Sequence, residues 1–135
     1  MKRLVRILIA DDDDLMRTVF TSICTSLSGV QLAGVAEDGE QAVGCFQTLS
    51  PDVVLLDVNM PKLSGIEALK KIKELDPDSC VVMLTGVSSV EVVKTCVGAG
   101  ARSYILKTNP PDKIRAAIKD ICFERLQKIV GKLAR

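Results

Sequence analysis

Asp11, Asp12, Asp57, Thr85 and Lys107 each stand just past an aliphatic run: Ile7-Leu8-Ile9-Ala10, Val53-Val54-Leu55-Leu56, Val81-Val82-Met83-Leu84 and Tyr104-Ile105-Leu106. Buried parallel strands read as continuous aliphatic runs, and their carboxyl ends share the edge where open α/β sheets hold ligands. The pattern predicts that carboxylates, a hydroxyl and an ammonium meet in one cleft. Neighbouring strands lie about 4.8 Å apart, so Asp11 and Asp12 fall near Asp57 if the first and third strands are adjacent. Each like-charge pair at about 5 Å repels by roughly 3 kcal/mol at an effective dielectric near 20. Lys107 alone cannot neutralise three carboxylates. A divalent cation would.

Carboxylates, a carbonyl and water select a hard, oxygen-loving ion, and Mg2+ is favoured because it keeps several waters and suits phosphate chemistry. Asn59 offers its main-chain carbonyl to such an ion. A carboxylate is also a nucleophile toward phosphorus, forming an acyl phosphate, and the protein's task there is to position groups and neutralise the phosphoryl oxygens. Magnesium, Lys107 and Thr85 meet those needs. Taken singly, each residue has a plainer use. Acids after a strand cap the next helix, to which Asp13 and Asp14 are assigned, while a lone lysine is usually solvated and a lone threonine satisfies loop backbone. Only the joint placement carries the chemical reading.

The elements that must position these groups alternate strand and helix five times, the pattern of a doubly wound α/β domain with helices on both faces of a parallel sheet. Met16, Val19, Phe20, Ile23 and Leu27 form a helical stripe that ends at Gly29. A strand over 30–37 turns at Asp38-Gly39 into a helix carrying Ala42, Val43, Phe46 and Leu49, and Pro51 punctuates the entry to the third strand. Ser64 with Glu67, and Ser88 with Glu91, have the spacing of capping boxes, while Asn109 before Pro110-Pro111 reads as a cap and first-turn prolines. The last stripe begins at Ile114, Ala117, Ile118, Ile121 and Cys122 and runs on through Leu126, Ile129, Val130 and Leu133. Twenty-three helical residues would span about 35 Å, longer than a compact domain of this kind needs.

Composition narrows the rest. One hundred and thirty-five residues suit one domain, and a net charge of +1 provides no overall basic field for nucleic acid. The chain has no histidine, which removes the usual general base and zinc ligand and means that any phosphohistidine donor is another molecule. Five scattered cysteines without a C-x-x-C pair read as free thiols rather than a disulfide framework. Arg6 and four aspartates interrupt any resemblance of the N-terminus to a secretory leader, and no apolar run is long enough to span a membrane. The expectation is a cytoplasmic protein with no membrane partner.

With those residues assembled, the sequence resembles the response-regulator receiver domains of two-component signalling over residues 4 to about 123. Asp11-Asp12 match the family's acidic pair, Leu56-Asp57-Val58-Asn59-Met60-Pro61 with Gly65 its phosphoacceptor loop, Thr85-Gly86 its switch hydroxyl, and Tyr104 to Lys107 its aromatic and lysine. The resemblance implies a flavodoxin-like sheet in the order 2-1-3-4-5. It implies that Asp57 accepts a phosphoryl group from a partner histidine kinase or phosphotransfer protein. Mg2+ would be held by Asp12, Asp57 and the Asn59 carbonyl, with Asp11 acting through water. Lys107 would pair with the acyl phosphate, and Thr85 would move toward it and let Tyr104 turn inward. The face made by helix 4, strand 5 and helix 5 would then signal to a downstream target protein, and Mg-dependent self-dephosphorylation would reset it.

One departure is that Thr108 follows Lys107 where many receivers carry a cis proline, so a trans bond is expected there. Another is aliphatic Val87, two residues after Thr85, where some rapidly self-hydrolysing relatives are polar; slow dephosphorylation is expected. Residues 1–123 are assigned to the receiver and 124–135 to an extension of the last helix or a connector. That extension is either a solvated end or a partner-binding helix, and a phosphorylation-dependent homodimer is an open alternative. No helix-turn-helix follows, so no direct nucleic-acid contact is expected. The rival is a small Mg-dependent phosphohydrolase whose aspartyl nucleophile lies in the Asp11–Asp14 cluster, where the Asp-x-Asp spacing occurs twice. No other cofactor is implied, since Gly98-Ala99-Gly100 lacks the third glycine of a dinucleotide loop.

Overall fold

Each aliphatic run forms a strand, and each amphipathic stripe forms the helix after it. The computed structural model describes residues 3–87 and 89–133. In chain order the elements are β1 (Val5–Ala10), α1 (Asp14–Ser26), β2 (Val30–Ala36), α2 (Gly39–Leu49), β3 (Val53–Asp57), α3 (Gly65–Leu75), β4 (Val81–Thr85), α4 (Val90–Gly98), β5 (Ser103–Leu106) and α5 (Pro111–Leu133). The strands make one sheet in the order β2-β1-β3-β4-β5, every pairing parallel, as the family resemblance implied.

Side chains alternate across a strand, so each central run supplies two cores. Ile7, Ile9, Leu55, Val82 and Leu84 face one way, onto Phe20 and Ile23 of α1 and Ile114, Ile118 and Cys122 of α5. Leu8, Ala10, Leu56, Val81 and Met83 face the other way, onto Phe46 of α2, Leu69 and Ile72 of α3 and Cys96 of α4. Burial on both faces explains why these strands are aliphatic at every position. Along the four runs themselves, polar residues come only at the carboxyl end.

Caps set the helix starts. Asp13 accepts the N–H groups of Leu15 and Met16, Asp38 accepts that of Gln41, and Ser64 with Glu67 completes the expected capping box. Two starts differ from the sequence expectation. Ser88 lies outside the described residues, as do Met1, Lys2, Ala134 and Arg135, and the cap of α4 is Ser89, whose hydroxyl accepts the Val92 N–H. Asn109 does not cap α5, because Pro111 forces Pro110 out of helical backbone and delays the first helical residue by one. Pro110 therefore takes the cap position, its carbonyl accepting the N–H groups of Lys113 and Ile114.

The last helix continues unbroken past Phe123 to Leu133. Leu126 packs against the core, whereas Val130 and Leu133 are exposed. Arg125 Nε donates to the Asp52 carbonyl at 3.2 Å, tying the distal half of the helix to the loop before β3. The cysteines are free thiols, four of them buried, and the Lys107–Thr108 peptide is trans. No helix among the described residues is long and apolar enough to cross a membrane.

Gly65 decides how closely α3 approaches the end of β3. Its N–H donates to the Val58 carbonyl at 2.8 Å, and a Cβ built there would lie 1.8 Å from the carbonyl oxygen of Asp57. No rearrangement of a flexible side chain relieves a clash with backbone. Gly65→Ala is expected to destabilise the fold by more than about 2 kcal/mol in urea unfolding. An unchanged midpoint would show that the loop yields freely.

Candidate functional site

Adjacency of β1 and β3 puts the acidic pair beside Asp57. Ala10 is in register with Leu56, so the next residue along each strand, Asp11 or Asp57, is a carboxylate. Ligand oxygens of Asp11, Asp12 and Asp57 lie within 4.8 Å of one another. Asp12 is exposed, whereas Asp11 is fully buried and Asp57 is 5% exposed.

Local bonds hold these carboxylates in place. Asp11 Oδ1 accepts the Asp13 N–H at 2.9 Å, and its own N–H donates to the Ala36 carbonyl, so β2 anchors the loop. Asp57 Oδ1 lies 3.5 Å from the Asn59 N–H, the outer limit of a hydrogen bond. That contact keeps Asn59 beside Asp57. Asp13 takes the capping role expected of it, whereas Asp14 does not cap: it is the first residue of α1, and its carboxylate pairs with Arg17.

Lys107 completes the cluster from β5. Its N–H donates to the Thr85 carbonyl at 2.8 Å, which fixes its backbone to the end of β4. Its Nζ then reaches 2.8 Å from Asp11 Oδ2 and 3.3 Å from Asp57 Oδ2. Burial pulls the ammonium's pKa down, but the carboxylates of Asp11 and Asp57 outweigh that and hold it above the usual lysine value. The lysine therefore stays charged.

One ammonium does not balance the site. Asp11 Oδ2, paired with that charge, accepts no well-directed hydrogen bond among the described residues. Asp57 is pushed up to about 7, first by burial and then by repulsion from Asp11, with Lys107 opposing both. A carboxyl that resists ionisation beside two further carboxylates is what a set of oxygen ligands shows when it is shaped for a divalent cation. The donor set of Asp11, Asp12 and Asp57 fits such an ion.

Thr85 and Tyr104 stand at this edge without joining the cluster. Thr85 is buried, and its Oγ1 donates to the Val87 carbonyl at 2.9 Å and accepts the Val87 N–H at 3.3 Å, so the hydroxyl is engaged by its own loop. Tyr104 is 41% exposed on β5, opposite Met83. Sequence reasoning missed Arg17, whose Nη1 donates to the Asp11 carbonyl at 2.8 Å and whose Nη2 lies 3.6 Å from Glu37. A signal existed: a cation in the first turns of a helix opposes the macrodipole and needs another reason to be there.

The sheet order, the strand-end carboxylates and the lysine between them can now be set beside known proteins. The family model of the response regulator receiver domain matches residues 7–119. The chain is a response-regulator receiver domain. The chemotaxis protein CheY of Thermotoga maritima is 33% identical over 116 residues, covering 86% of this chain and 96% of that protein. Among solved structures, the response regulator domain of Thermotoga maritima CheB superposes with a TM-score of 0.84 at 29% identity, covering 93% of this chain and 98% of that one. The CheX–CheY–BeF3–Mg2+ complex of Borrelia burgdorferi gives a TM-score of 0.77 at 31% identity, covering 93% and 88% respectively. Receivers are switched by phosphorylation within two-component signalling, and the acidic cluster of this receiver lies where the family generally binds Mg2+.

The raised pKa of Asp57 makes the stability of the metal-free receiver depend on pH. Below its ordinary value of 3.8 the carboxyl is neutral both folded and unfolded, and from there to about 7 only the unfolded chain releases the proton. Stability therefore falls as pH rises through that window and stays low above it. In EDTA at pH 8, Asp57→Asn is expected to stabilise the receiver by on the order of 2 kcal/mol, seen as a higher Tm, with little change at pH 4. Equal Tm values for the two proteins at pH 8 would show that Asp57 carries no such penalty.

Proposed function

We propose that this receiver accepts a phosphoryl group on Asp57 from a histidine kinase or phosphotransfer protein, and passes the signal to a downstream target protein. The supporting observation is the placement of Lys107 Nζ between Asp11 and Asp57, within a cluster of three carboxylates. An Asp57 oxygen attacks phosphorus, the bond from phosphorus to the donor nitrogen breaks, and an acyl phosphate forms on Asp57 while the donor histidine keeps the electron pair. Asp11, Asp12 and Asp57, with the Asn59 carbonyl, would hold Mg2+, which supplies positive charge against the phosphoryl oxygens. Lys107 adds a second positive charge without changing its protonation.

The conformational step is local to Thr85. Its hydroxyl must leave the Val87 carbonyl to donate to a phosphoryl oxygen, exchanging one neutral hydrogen bond for a charge-assisted one about twice as strong. That movement empties space beside β5, into which the half-exposed Tyr104 turns, remodelling the surface of α4, β5 and α5. CheX sits with CheY, BeF3 and Mg2+ in the Borrelia complex, and this receiver's surface would meet its own target protein in the phosphorylated state. Water attack on the acyl phosphate ends the signal, slowly, because the exposed Val87 places an aliphatic side chain near the site. Within the acidic cluster Asp13 caps α1, Asp14 pairs with Arg17 and Asp11 has no exposed surface, which leaves the exposed Asp12 as the nucleophile a phosphohydrolase would have to use.

Acetyl phosphate with Mg2+ is expected to add the mass of one phosphoryl group to the intact protein, mapping to the peptide that contains Asp57. EDTA or Asp57→Asn should abolish the increment, and Lys107→Ala should slow labelling by on the order of 100-fold. Label on Asp11, Asp12, Asp13 or Asp14 instead would favour the hydrolase. Replacing Val87 with asparagine should shorten the lifetime of the phosphorylated form in the same assay, and an unchanged decay would remove Val87 from the account.

A further inference from the structure

The sheet has a second populated edge. At the amino-terminal ends of β4 and β5, about 15 Å of strand from the carboxylates, a cleft of about 870 Å³ opens between the turn carrying Ser79 and Cys80, the segment before β5, and residues 121–132 of α5. Lys73, Arg102, Arg125, Lys128 and Lys132 line it, against Asp78 and Glu124. Five basic side chains against two acidic ones leave three positive charges in one concavity, in a chain whose net charge is only +1.

The acids do not consume this charge. Arg102 pairs with Glu124 and Lys132 with Asp78, but all four side chains are more than half exposed. Such pairs contribute little and yield readily to a stronger anion. Lys128 has no ion-pair partner among the described residues. Burial raises the pKa of the Cys80 thiol, and Arg125, Arg102, Lys73 and Lys128 all oppose it, so their fields converge on the floor of the cleft.

A second observation is independent of charge. Ser79 lines the cleft, is 8% exposed, and its Oγ has no hydrogen-bond partner among the described residues. Lys73 Nζ donates to the Ser79 carbonyl at 2.7 Å, so an ammonium stands at the same turn. An unsatisfied buried hydroxyl is costly and asks for a partner. The Ser79 Oγ is itself covered, so a turn of its side chain would be needed to bring the hydroxyl to a phosphate oxygen held beside Lys73.

We propose that this cleft binds a small organic phosphate of nucleotide size, at a site separate from Asp57. Its volume lies in the range of small-molecule pockets, and a single inorganic phosphate would leave most of it empty. Arg102 before β5 and Arg125 on α5 both line it, and with Arg125 Nε held by the Asp52 carbonyl its remaining guanidinium N–H groups and the Arg102 fork suit more than one phosphate group. The apolar side chain of Ile121 and the open backbone at Gly131 leave room for an organic moiety between them. A polynucleotide is a poorer match, since the basic residues line a concavity rather than a stripe. The bound phosphate would clamp the distal half of α5 onto the sheet.

Calorimetric titration of the whole chain with ATP, pyrophosphate and a short single-stranded oligonucleotide tests this. ATP is expected to saturate one site with a Kd below about 1 mM, pyrophosphate to bind more weakly, and residues 121–132 to gain protection from hydrogen exchange in the ATP complex. Arg102→Glu combined with Lys128→Glu, both changes at exposed positions, should weaken ATP binding about tenfold or more, and Ser79→Ala should weaken it several-fold. Labelling of Asp57 by acetyl phosphate should be the same in these variants as in the parent, which separates this site from the phosphoacceptor. No heat with ATP up to about 5 mM, unaltered affinity in the double variant, pyrophosphate binding as tightly as ATP, or tighter binding of the oligonucleotide would each overturn the proposal.

Discussion

Asp11, Asp12 and Asp57 gather three carboxylates around one ammonium at the end of a buried sheet, and much of the site's behaviour follows from that imbalance. A charge removed from water needs compensation, and Lys107 supplies part of it. The remainder appears as an Asp57 carboxyl pushed up to about 7, by burial first and by Asp11 second. The native state therefore holds electrostatic strain that added positive charge would relieve. On the proposed reading, the strain that makes the metal-free site costly also makes it responsive, because added charge changes its energy more than it would change that of a solvated cluster.

The fold imposes this arrangement through topology rather than through local sequence. Parallel pairing of β1 with β3 sends both chains out of the sheet at the same edge, and two-sided burial keeps the strands aliphatic up to that point. Gly65 then lets α3 start against the carbonyl of Asp57, where any side chain would collide with backbone. The geometry around Asp57 is thus set by the sheet on one side and by a missing Cβ on the other.

Much of this was legible in the sequence because one physical rule, burial on both faces, writes itself as unbroken aliphatic runs. The four runs located β1, β3, β4 and β5, and their terminal residues marked the cluster that the structure assembles. What escaped depends on relations the linear pattern does not carry. Asn109 lost its cap because consecutive prolines shift the helix start by one residue, and adjacent serines left the cap of α4 ambiguous. Arg17 gave only the faint signal of a cation opposing the macrodipole, because its partner is a backbone carbonyl, an acceptor that every residue has. Thr85 was correctly placed at the edge, but its engagement with Val87 depends on the path of a loop, which residue type does not specify.

The two ends of the sheet differ in sign for the same structural reason. At the carboxyl ends three acids outnumber the one lysine, whereas at the amino ends of β4 and β5 basic residues from α3, the β5 approach and α5 outnumber acids. These ends are joined by β4 and β5 and by α5, whose Ile114 and Ile118 pack on the core while its distal half forms one wall of the basic cleft. Close-packed elements of this kind shift as units rather than deform continuously. A displacement of β5 and α5 on phosphorylation would therefore alter the basic wall, and by linkage an anion that fixes that wall would bias the same displacement. The length of α5 matters because it carries one rigid body from the surface proposed to meet the target protein to a cleft at the opposite edge.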